Sequence, residues 1–401
     1  PTPTEPSKAT QGGGQEGPAT GATAPAGEGE RDHAATPAPE GGSAAAPGEQ
    51  TGATAPVAGA PIPAGGASAA SAAASLPPGA TLFVQINVKE ALASEALAPV
   101  KPLVLDNMPA PCREMVESLE VVLLAGYSKE PDDFMFLGRK KRDVEEGEEA
   151  PAEVYDPKIV AVLTGAKTDV VKACVTAQAA AEGETVELRM ENRGGREVMI
   201  GSEGGEEILA FALDETTHVI VAGPSMVDAA LATAGGGESL AGSEILASLA
   251  HVPAGPVLLA FAIQDWMGEG IQEGLAEVVP GAQAPLPTGS SISLGFRGAD
   301  LLAVSAIVTA DETAGKAWED IGTKAVAAVQ AMMANPEEPE MKMMAELLGP
   351  VVQGITLERR GNVLLGQASI PFGLIVTLLM EGGEKTESTA ESVTAEPPPA
   401  E

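Results

Sequence analysis

The sequence predicts an α+β protein. It is expected to hold two tandem copies of a strand-helix-strand-strand-helix-hairpin unit, which form antiparallel sheets with helices on one face. Three observations carry this prediction. Short runs of alternating apolar residues indicate strands, Ala- and Leu-rich stretches at helical spacing follow them, and the element order that starts near residue 80 recurs from about residue 255.

Both ends of the chain differ in composition from its middle. Residues 1–75 consist almost entirely of Ala, Pro, Gly, Thr, Ser and Glu, and residues 382–401 are acidic and rich in proline. Such segments bury too little apolar surface to offset the entropy lost on folding, so both are predicted to be disordered. A 75-residue coil spans ~45–50 Å, which fits a tether.

The folded part is therefore expected to run from residue 76 to residue 381. Its first repeat is placed at 76–234, a connecting segment with three consecutive glycines at 235–254, and the second repeat at 255–381. Ala, Val, Leu, Ile and Met must build its core, because aromatic residues make up only 3% of the chain.

The first repeat opens with a strand. Side chains alternate through residues 82–88, with Leu82, Val84, Ile86 and Val88 on one side and Phe83, Gln85 and Asn87 on the other. This alternation predicts one dominant buried face, and an Ala- and Leu-rich helix follows as far as Pro99.

The rest of the first repeat is predicted from similar patterns. SLEVVLLAGY and KIVAVLTG indicate two strands, joined by a long charged hairpin connection over residues 129–157. Thr168 or Asp169 begins a helix that ends at Gly183 and carries Cys174 on its buried side. The stretch from 185 to 201 then predicts a hairpin that turns at Gly194 and Gly195.

The stretch DETTHVIVAGPSMVDAALA, residues 214–232, raises the question of a reactive site, because it combines a histidine, two carboxylates and a serine. Its surroundings favour a structural interpretation. Apolar ILAFAL precedes the polar DETT, apolar HVIVAG follows, and Pro224 is suited to the first turn of a helix. These residues are therefore predicted to form a hairpin and the start of a helix.

The second repeat is predicted from pattern more than from identity. GPVLLAFAIQDWMGEGIQEGL matches ATLFVQINVKEALASEAL as a strand followed by a helix. The most similar pair is ITLERRGNVLLGQASI, residues 355–370, and VELRMENRGGREVMIG, residues 186–201, since each is a hairpin with charged residues beside a glycine turn.

Four stretches together carry a resemblance to a known group: LPPGATLFVQINV, DETTHVIVAGPSMVDAAL, GESLAGSEILASLAHVP and GPVLLAF, behind an Ala-, Pro- and Gly-rich tether. The combination resembles uncharacterised bacterial extracytoplasmic lipoproteins with a duplicated α+β body, over residues 76–380. The resemblance implies export to the periplasm or outer membrane and leaves a lipid anchor open, because the sequence has no lipobox cysteine. It implies no catalytic residues.

The net charge of the chain argues against anionic partners. Lys and Arg total 23 against 57 Asp and Glu, a formal net charge of -34, so nucleic acid and anionic lipid head groups would be repelled. No stretch reaches the ~18–20 consecutive apolar residues of a membrane span. Membrane attachment is therefore expected only through an N-terminal anchor outside this sequence.

The two cysteines, Cys112 and Cys174, leave two alternatives. In an oxidising compartment they could form one disulfide that closes a long loop. They could equally be two buried free thiols, because a coarse pattern cannot place distant residues within bonding distance.

The sequence shows none of the common catalytic or metal-binding patterns. The histidines are His33 in the tether, His218 at the start of a strand and His251 at the end of a helix, and no G-x-S-x-G pattern lies near them. The sequence also has no C-x-x-C, H-E-x-x-H or calcium-loop pattern. No cofactor, no metal and no enzymatic activity are therefore expected.

A methionine-rich stretch offers one candidate ligand site. In QAMMANPEEPEMKMMAELLGPVV, Met341 and Met344 share a helix face with Leu348, and Met332 and Met333 end the preceding helix. Core packing is the first interpretation, an apolar ligand groove the second and copper binding the third.

The sequence thus predicts a non-enzymatic, exported protein that binds or assembles with an unidentified protein or cell-envelope component. A periplasmic carrier of an apolar ligand or lipid, held between helices and sheet, is the alternative, and an enzyme of unrecognised class is the third possibility.

Overall fold

A computed structural model describes residues 73–127, 158–181, 188–203, 206–265, 267–336 and 339–375. These belong to one compact unit, residues 59–401. The predicted tether up to residue 72, the insertion at 129–157 and the tail at 382–401 lie outside the described residues.

Within the described residues, twelve strands form the sheet. They are β1 Leu82–Asn87, β2 Val121–Gly126, β3 Ile159–Thr164, β4 Arg189–Arg193, β5 Arg196–Glu203, β6 Glu206–Ala212, β7 Thr217–Ala222, β8 Val257–Ala262, β9 Gly289–Arg297, β10 Asp300–Val308, β11 Thr356–Arg360 and β12 Val363–Pro371.

Along the chain, the α-helices of the described residues alternate with these strands. They are α1 Val88–Ala93, α2 Lys101–Leu105, α3 Ala110–Ser118, α4 Thr168–Ala181, α5 Val227–Ala234, α6 Glu244–Ala247, α7 Met267–Val278, α8 Glu312–Ala334 and α9 Pro339–Gln353. Short 3-10 helices include Ala73–Ser75 and Ser248–His251.

All twelve strands pair antiparallel in one sheet, in the order β11-β12-β10-β9-β8-β1-β2-β3-β7-β6-β5-β4. The α+β prediction is therefore confirmed. The strands on either side of the insertion at 129–157, β2 and β3, pair with each other. Their antiparallel register runs from Val121 opposite Thr164 to Gly126 opposite Ile159. The two halves of the chain meet in the middle of the sheet, where β1 pairs with β8.

The predicted duplication can be compared with this element order. Each half starts at the centre of the sheet, with β1 or β8, and includes a hairpin that turns at a glycine with positive φ, β4-β5 at Gly194 and β11-β12 at Gly361. The first half has an additional hairpin, β6-β7, between β3 and β5. Duplication stays a prediction.

One face of the sheet carries the main core. The connecting segment covers this face with Leu240, Ile245, Leu246 and Leu249, each at most 5% exposed, and α5 adds Val227 and Ala230. Ala73 and Leu76 are also fully buried there, and the backbone carbonyl of Leu76 accepts a hydrogen bond from the Leu240 amide at 2.8 Å. The folded part therefore includes the last three residues assigned to the tether.

The longer helices pack on the opposite face as two separate clusters. In the first, α3 and α4 surround Leu119, Leu163, Ala166 and Val171. In the second, α7 and α8 surround Trp318, Ile321 and Leu364. The first cluster lies over β2, β3 and β7, whereas the second lies over β10, β11 and β12.

The burial of β1 differs from the sequence expectation. Phe83 is 0% and Gln85 3% exposed, whereas Val84 and Ile86 on the other side are only half-buried. The more aliphatic side of the strand is thus not the more deeply buried one. Alternation could not reveal this, because the distant connecting segment decides which side is covered.

Candidate functional site

The central strands have a half-buried apolar surface on the face of the sheet that carries the longer helices. We call this surface the apolar floor. Residues directly opposite each other in an antiparallel sheet share a face, so the register places two rows together. The first row is Leu124, Val84, Leu259 and Ile292, and the second is Ile86, Val257 and Leu294.

The floor lies between the two helical clusters of this face. None of its seven residues belongs to either cluster, although Val122, beside Ile86, packs against the first. All seven are half-buried, while their neighbours on the opposite face, such as Leu123 and Leu258, are 1% exposed. With strands ~4.8 Å apart, the four strands of the floor span about 14 Å from β2 to β9.

Two further cavities lie near the described helices. One, of about 350 Å³, is on the same sheet face near its edge and is lined by Val171, Met190, Met199, Ala210 and His218 among others. Beside it, Met190 and Ile208 are each 43% exposed. The other, of about 530 Å³, lies between α1 and α3 and has a charged lining that includes Glu95, Lys101, Asp106 and Arg113.

The methionines predicted from sequence lie on α8 and α9. Met332 is 49% exposed and Met333 is half-buried at the end of α8. Leu348 is half-buried on α9, whereas the side chains of Met341 and Met344 lie outside the described residues. The methionine groove therefore stays a prediction.

The two cysteines are joined by a disulfide between α3 and α4. Their Cα atoms are 4.4 Å apart, and the bond spans 62 positions of sequence. It connects the two helices that pack around Leu119 and Leu163, in the cluster beside the apolar floor.

The residues of the 214–232 stretch have structural contacts. The Asp214 carboxylate accepts hydrogen bonds from the amides of Thr216 and Thr217 at 2.9 and 2.8 Å, and these bonds lower the pKa of Asp214. His218 is 4% exposed, and its Nε2 lies 2.9 Å from the Ala166 carbonyl oxygen. The turn and the buried ring thus account for both side chains.

Other features of the described residues bear on function. Their His, Cys, Asp and Glu side chains form no group of three or more that could hold a metal ion. None of the described helices is both long enough and apolar enough to cross a membrane.

Comparison with known proteins found limited similarity. No family model and no curated protein matches the chain. Crystal form III of TP0453 matches with 8% sequence identity and a TM-score of 0.41, over 77% of this chain and 96% of that chain. Forms I and IV match with 9% identity and TM-scores of 0.39 and 0.40, over 77% and 95% of the two chains. At these values the matches carry no argument about function.

The apolar floor was not predicted from the sequence. The alternation is visible within single strands, since Val84 and Ile86 in β1, Val257 and Leu259 in β8, and Ile292 and Leu294 in β9 are apolar residues two positions apart. The sequence does not reveal that β1 pairs with β8, which places residue 84 beside residue 259. The side-by-side placement of these strands creates the surface.

Proposed function

We propose that this chain is a non-enzymatic, extracytoplasmic binding or assembly protein that uses the apolar floor as its interaction surface. One observation carries the proposal: large aliphatic side chains from four adjacent strands are left half-buried between two helical clusters. Apolar surface gains roughly 25 cal/mol per Å² when it is removed from water. Binding of a partner over the floor is therefore favourable, because it removes from water an apolar surface that the described helices cover only in part.

The extracytoplasmic setting is supported by two independent features. A disulfide between Cys112 and Cys174 is stable in oxidising compartments and rare in the cytosol. The Ala-, Pro- and Gly-rich composition of residues 1–72 suits a spacer between a surface and the folded part. The resemblance to bacterial extracytoplasmic lipoproteins agrees with both.

The chemistry of the partner's contact is constrained by charge. With a formal net charge of -34, the protein repels anionic surfaces. Burial of aliphatic side chains such as Leu259 and Ile292 requires an apolar group on the partner. We therefore propose a protein or cell-envelope component that presents an apolar segment.

A photoreactive amino acid at position 259, in the full chain in its own cells, tests this proposal. The same amino acid at Val278, 44% exposed on α7, is the matched control. We expect an adduct of one defined mass from position 259 and none from position 278. Recovery of the unmodified monomer alone from both positions would contradict the proposal.

A carrier of an apolar ligand is the second candidate. The 350 Å³ cavity near the sheet edge favours it, because Met190 and Met199 are adaptable side chains suited to irregular apolar ligands. A photoreactive amino acid at position 190, in the lining of this cavity, would then give a small-molecule adduct of roughly a few hundred daltons. Native mass spectrometry of the purified protein would then show extra mass that denaturation removes.

A further inference from the structure

We propose that two copies of this chain pair antiparallel through the outer side of β4, Arg189–Arg193, which we call the β4 edge. β4 is the last strand of the sheet, and no strand of the described residues pairs with its outer side. An unpaired edge offers its backbone N–H and C=O groups to a further strand. The inference goes beyond the proposed function, because four strands separate the β4 edge from the apolar floor.

The turn of the β4-β5 hairpin determines which backbone groups of β4 point outward. The two strands are joined by two glycines, residues 194–195, which both have positive φ. In such a two-residue turn, the flanking residues Arg193 and Arg196 form a hydrogen-bonded pair. Hydrogen-bonded and outward-pointing residues then alternate along an antiparallel strand. The N–H and C=O groups that point away from β5 therefore belong to Met190 and Asn192.

One register of self-pairing is favoured by charge. If Met190 lies opposite Met190 of the second copy, a two-fold axis places Arg189 opposite Glu191 of that copy, and Glu191 opposite its Arg189. Opposite charges directly across two strands stabilise their pairing, and like charges destabilise it. An axis at Arg189 or at Glu191 would place two like charges opposite each other. An axis at Asn192 would place Met190 opposite the glycine turn, where the strand ends.

The charged side chains of this register are accessible. The side chains of Arg189 and Glu191 are 54% and 39% exposed, and within one copy they contact each other at 3.3 Å. Arg189 also contacts Glu207 at 2.6 Å. A guanidinium carries five N–H donors and a carboxylate about four acceptor positions, so each group has capacity for a further partner. The pairs between copies therefore add to the contacts within each copy.

The other face of the β4 edge is apolar at the proposed axis. Met190 is 43% exposed. It lies opposite Met199 of β5 and lines the 350 Å³ cavity. In the proposed dimer the two Met190 side chains are directly opposite each other, which removes both from water. Burial of this apolar surface favours the same register as the charges do.

The local charge of the hairpin differs from that of the whole chain. Two chains with a formal net charge of -34 repel each other. Residues 189–197, however, contain three arginines and two glutamates, so this hairpin carries a small positive charge. At ~0.15 M salt, repulsion beyond about 8 Å is largely screened, whereas charges in direct contact still attract. We therefore expect the dimer at physiological ionic strength.

Analytical ultracentrifugation of the purified full chain, over a concentration series at ~0.15 M salt, tests the dimer. We expect an equilibrium between monomer and dimer. Arg189→Glu should weaken the dimer roughly tenfold, because it places two pairs of like charges across the axis. The variant Arg189→Glu/Glu191→Arg should restore it, since both pairs are again complementary.

The matched control is Arg360→Glu on β11. It makes the same change of charge at the opposite edge of the sheet, where the Arg360 side chain is 66% exposed, and should leave the dimer unchanged. Near-ultraviolet circular dichroism checks that each variant is folded. A monomer at every concentration would overturn the proposal. A dimer that both single variants weaken equally, or that the double variant fails to restore, would also overturn it.

A cysteine at the proposed axis tests the register. Cys112 and Cys174 are joined in a disulfide, so Met190→Cys supplies the one free thiol of each chain. A short bismaleimide should link two Met190→Cys chains in high yield. Met332→Cys, at a position 49% exposed on α8, should give little linked dimer. Equal yields from the two variants would contradict pairing at the β4 edge.

The dimer and the proposed functions fail separately. The link at position 190 joins two whole chains, whereas a carried ligand adds only the mass of a small molecule at that position. Dimers without any adduct at position 259 would retain the β4 edge and overturn binding at the apolar floor. Adducts at position 259 of a chain that stays monomeric would have the opposite meaning.

Discussion

Val84 of β1 lies directly opposite Leu259 of β8, at the point where the two halves of the chain join into one sheet. The pair belongs to the apolar floor, and both side chains are half-buried. The preceding residue, Leu258, points to the other face and is 1% exposed within the main core. Neighbouring leucines therefore have different surroundings on the two faces of one strand.

This difference predicts unequal effects of truncating the two leucines. Leu258→Ala should lower the free energy of unfolding by about 2–5 kcal/mol, because it leaves a cavity in a closely packed core. Leu259→Ala should cost clearly less, since its side chain already contacts solvent. Urea unfolding of the two variants provides the comparison. Equal losses would mean that the floor is as well packed as the core.

The disulfide between Cys112 and Cys174 should contribute substantially to stability. It closes a loop of 62 positions, for which the chain-entropy model gives about 4 kcal/mol. Reduction with dithiothreitol should therefore lower the urea midpoint of the wild-type protein. The variant Cys112→Ala/Cys174→Ala should already show the lower midpoint and should not respond to reductant. A wild-type midpoint that reduction leaves unchanged would contradict this account.

Gly165 occupies a position that other residues cannot adopt. Its φ is +104°, and a Cβ atom there would lie 2.7 Å from the Glu120 amide nitrogen and closer still to the Ser118 carbonyl oxygen. Gly79 is a matched control, with φ of +86° and no atom within 4 Å of its Cβ position. Gly79→Ala should cost ~1–2 kcal/mol from backbone strain alone, and Gly165→Ala should cost more. Similar losses by urea unfolding would refute the crowding.

Tyr127 should make stability depend on alkaline pH. Its hydroxyl donates to the Pro77 carbonyl oxygen at 2.9 Å, and burial raises the pKa of Tyr127 well above its usual range. The folded state thus favours the neutral phenol. This stabilisation is fully present below the unfolded pKa of about 10 and is lost as pH rises toward the folded pKa.

The variant Tyr127→Phe isolates this effect. Above about pH 10, the wild-type protein should lose stability more steeply with pH than the variant does. Urea unfolding at a series of alkaline pH values measures both slopes. Parallel slopes would show that Tyr127 ionises as readily in the folded state as in the unfolded state.

Local sequence patterns predicted the individual elements well. The helix expected from Thr168 or Asp169 runs from Thr168 to Ala181, and the hairpin expected to turn at Gly194 and Gly195 is β4-β5. These predictions depend on residues close in sequence. The pairing of β1 with β8, and the covering of Phe83 by the connecting segment, depend on residues far apart, which one sequence does not relate.

The candidate site was less predictable for the same reason. The methionine stretch stood out because Met332, Met341 and Met344 are close in sequence. The apolar floor combines residues 84, 124, 259 and 292, and each strand alone resembles any other half-buried strand. The ligand position expected from the sequence, between the helices and the sheet, stays a prediction.

The most direct test of the binding function is the mass of the protein purified from its own cells, in native and then in denatured form, for the wild type and Leu259→Glu. We expect the wild type to carry extra mass, from a protein partner or an apolar ligand, that denaturation removes, and Leu259→Glu to lack it. A bare polypeptide mass in the wild type, or the same extra mass in Leu259→Glu, would contradict the proposal that the apolar floor binds a partner.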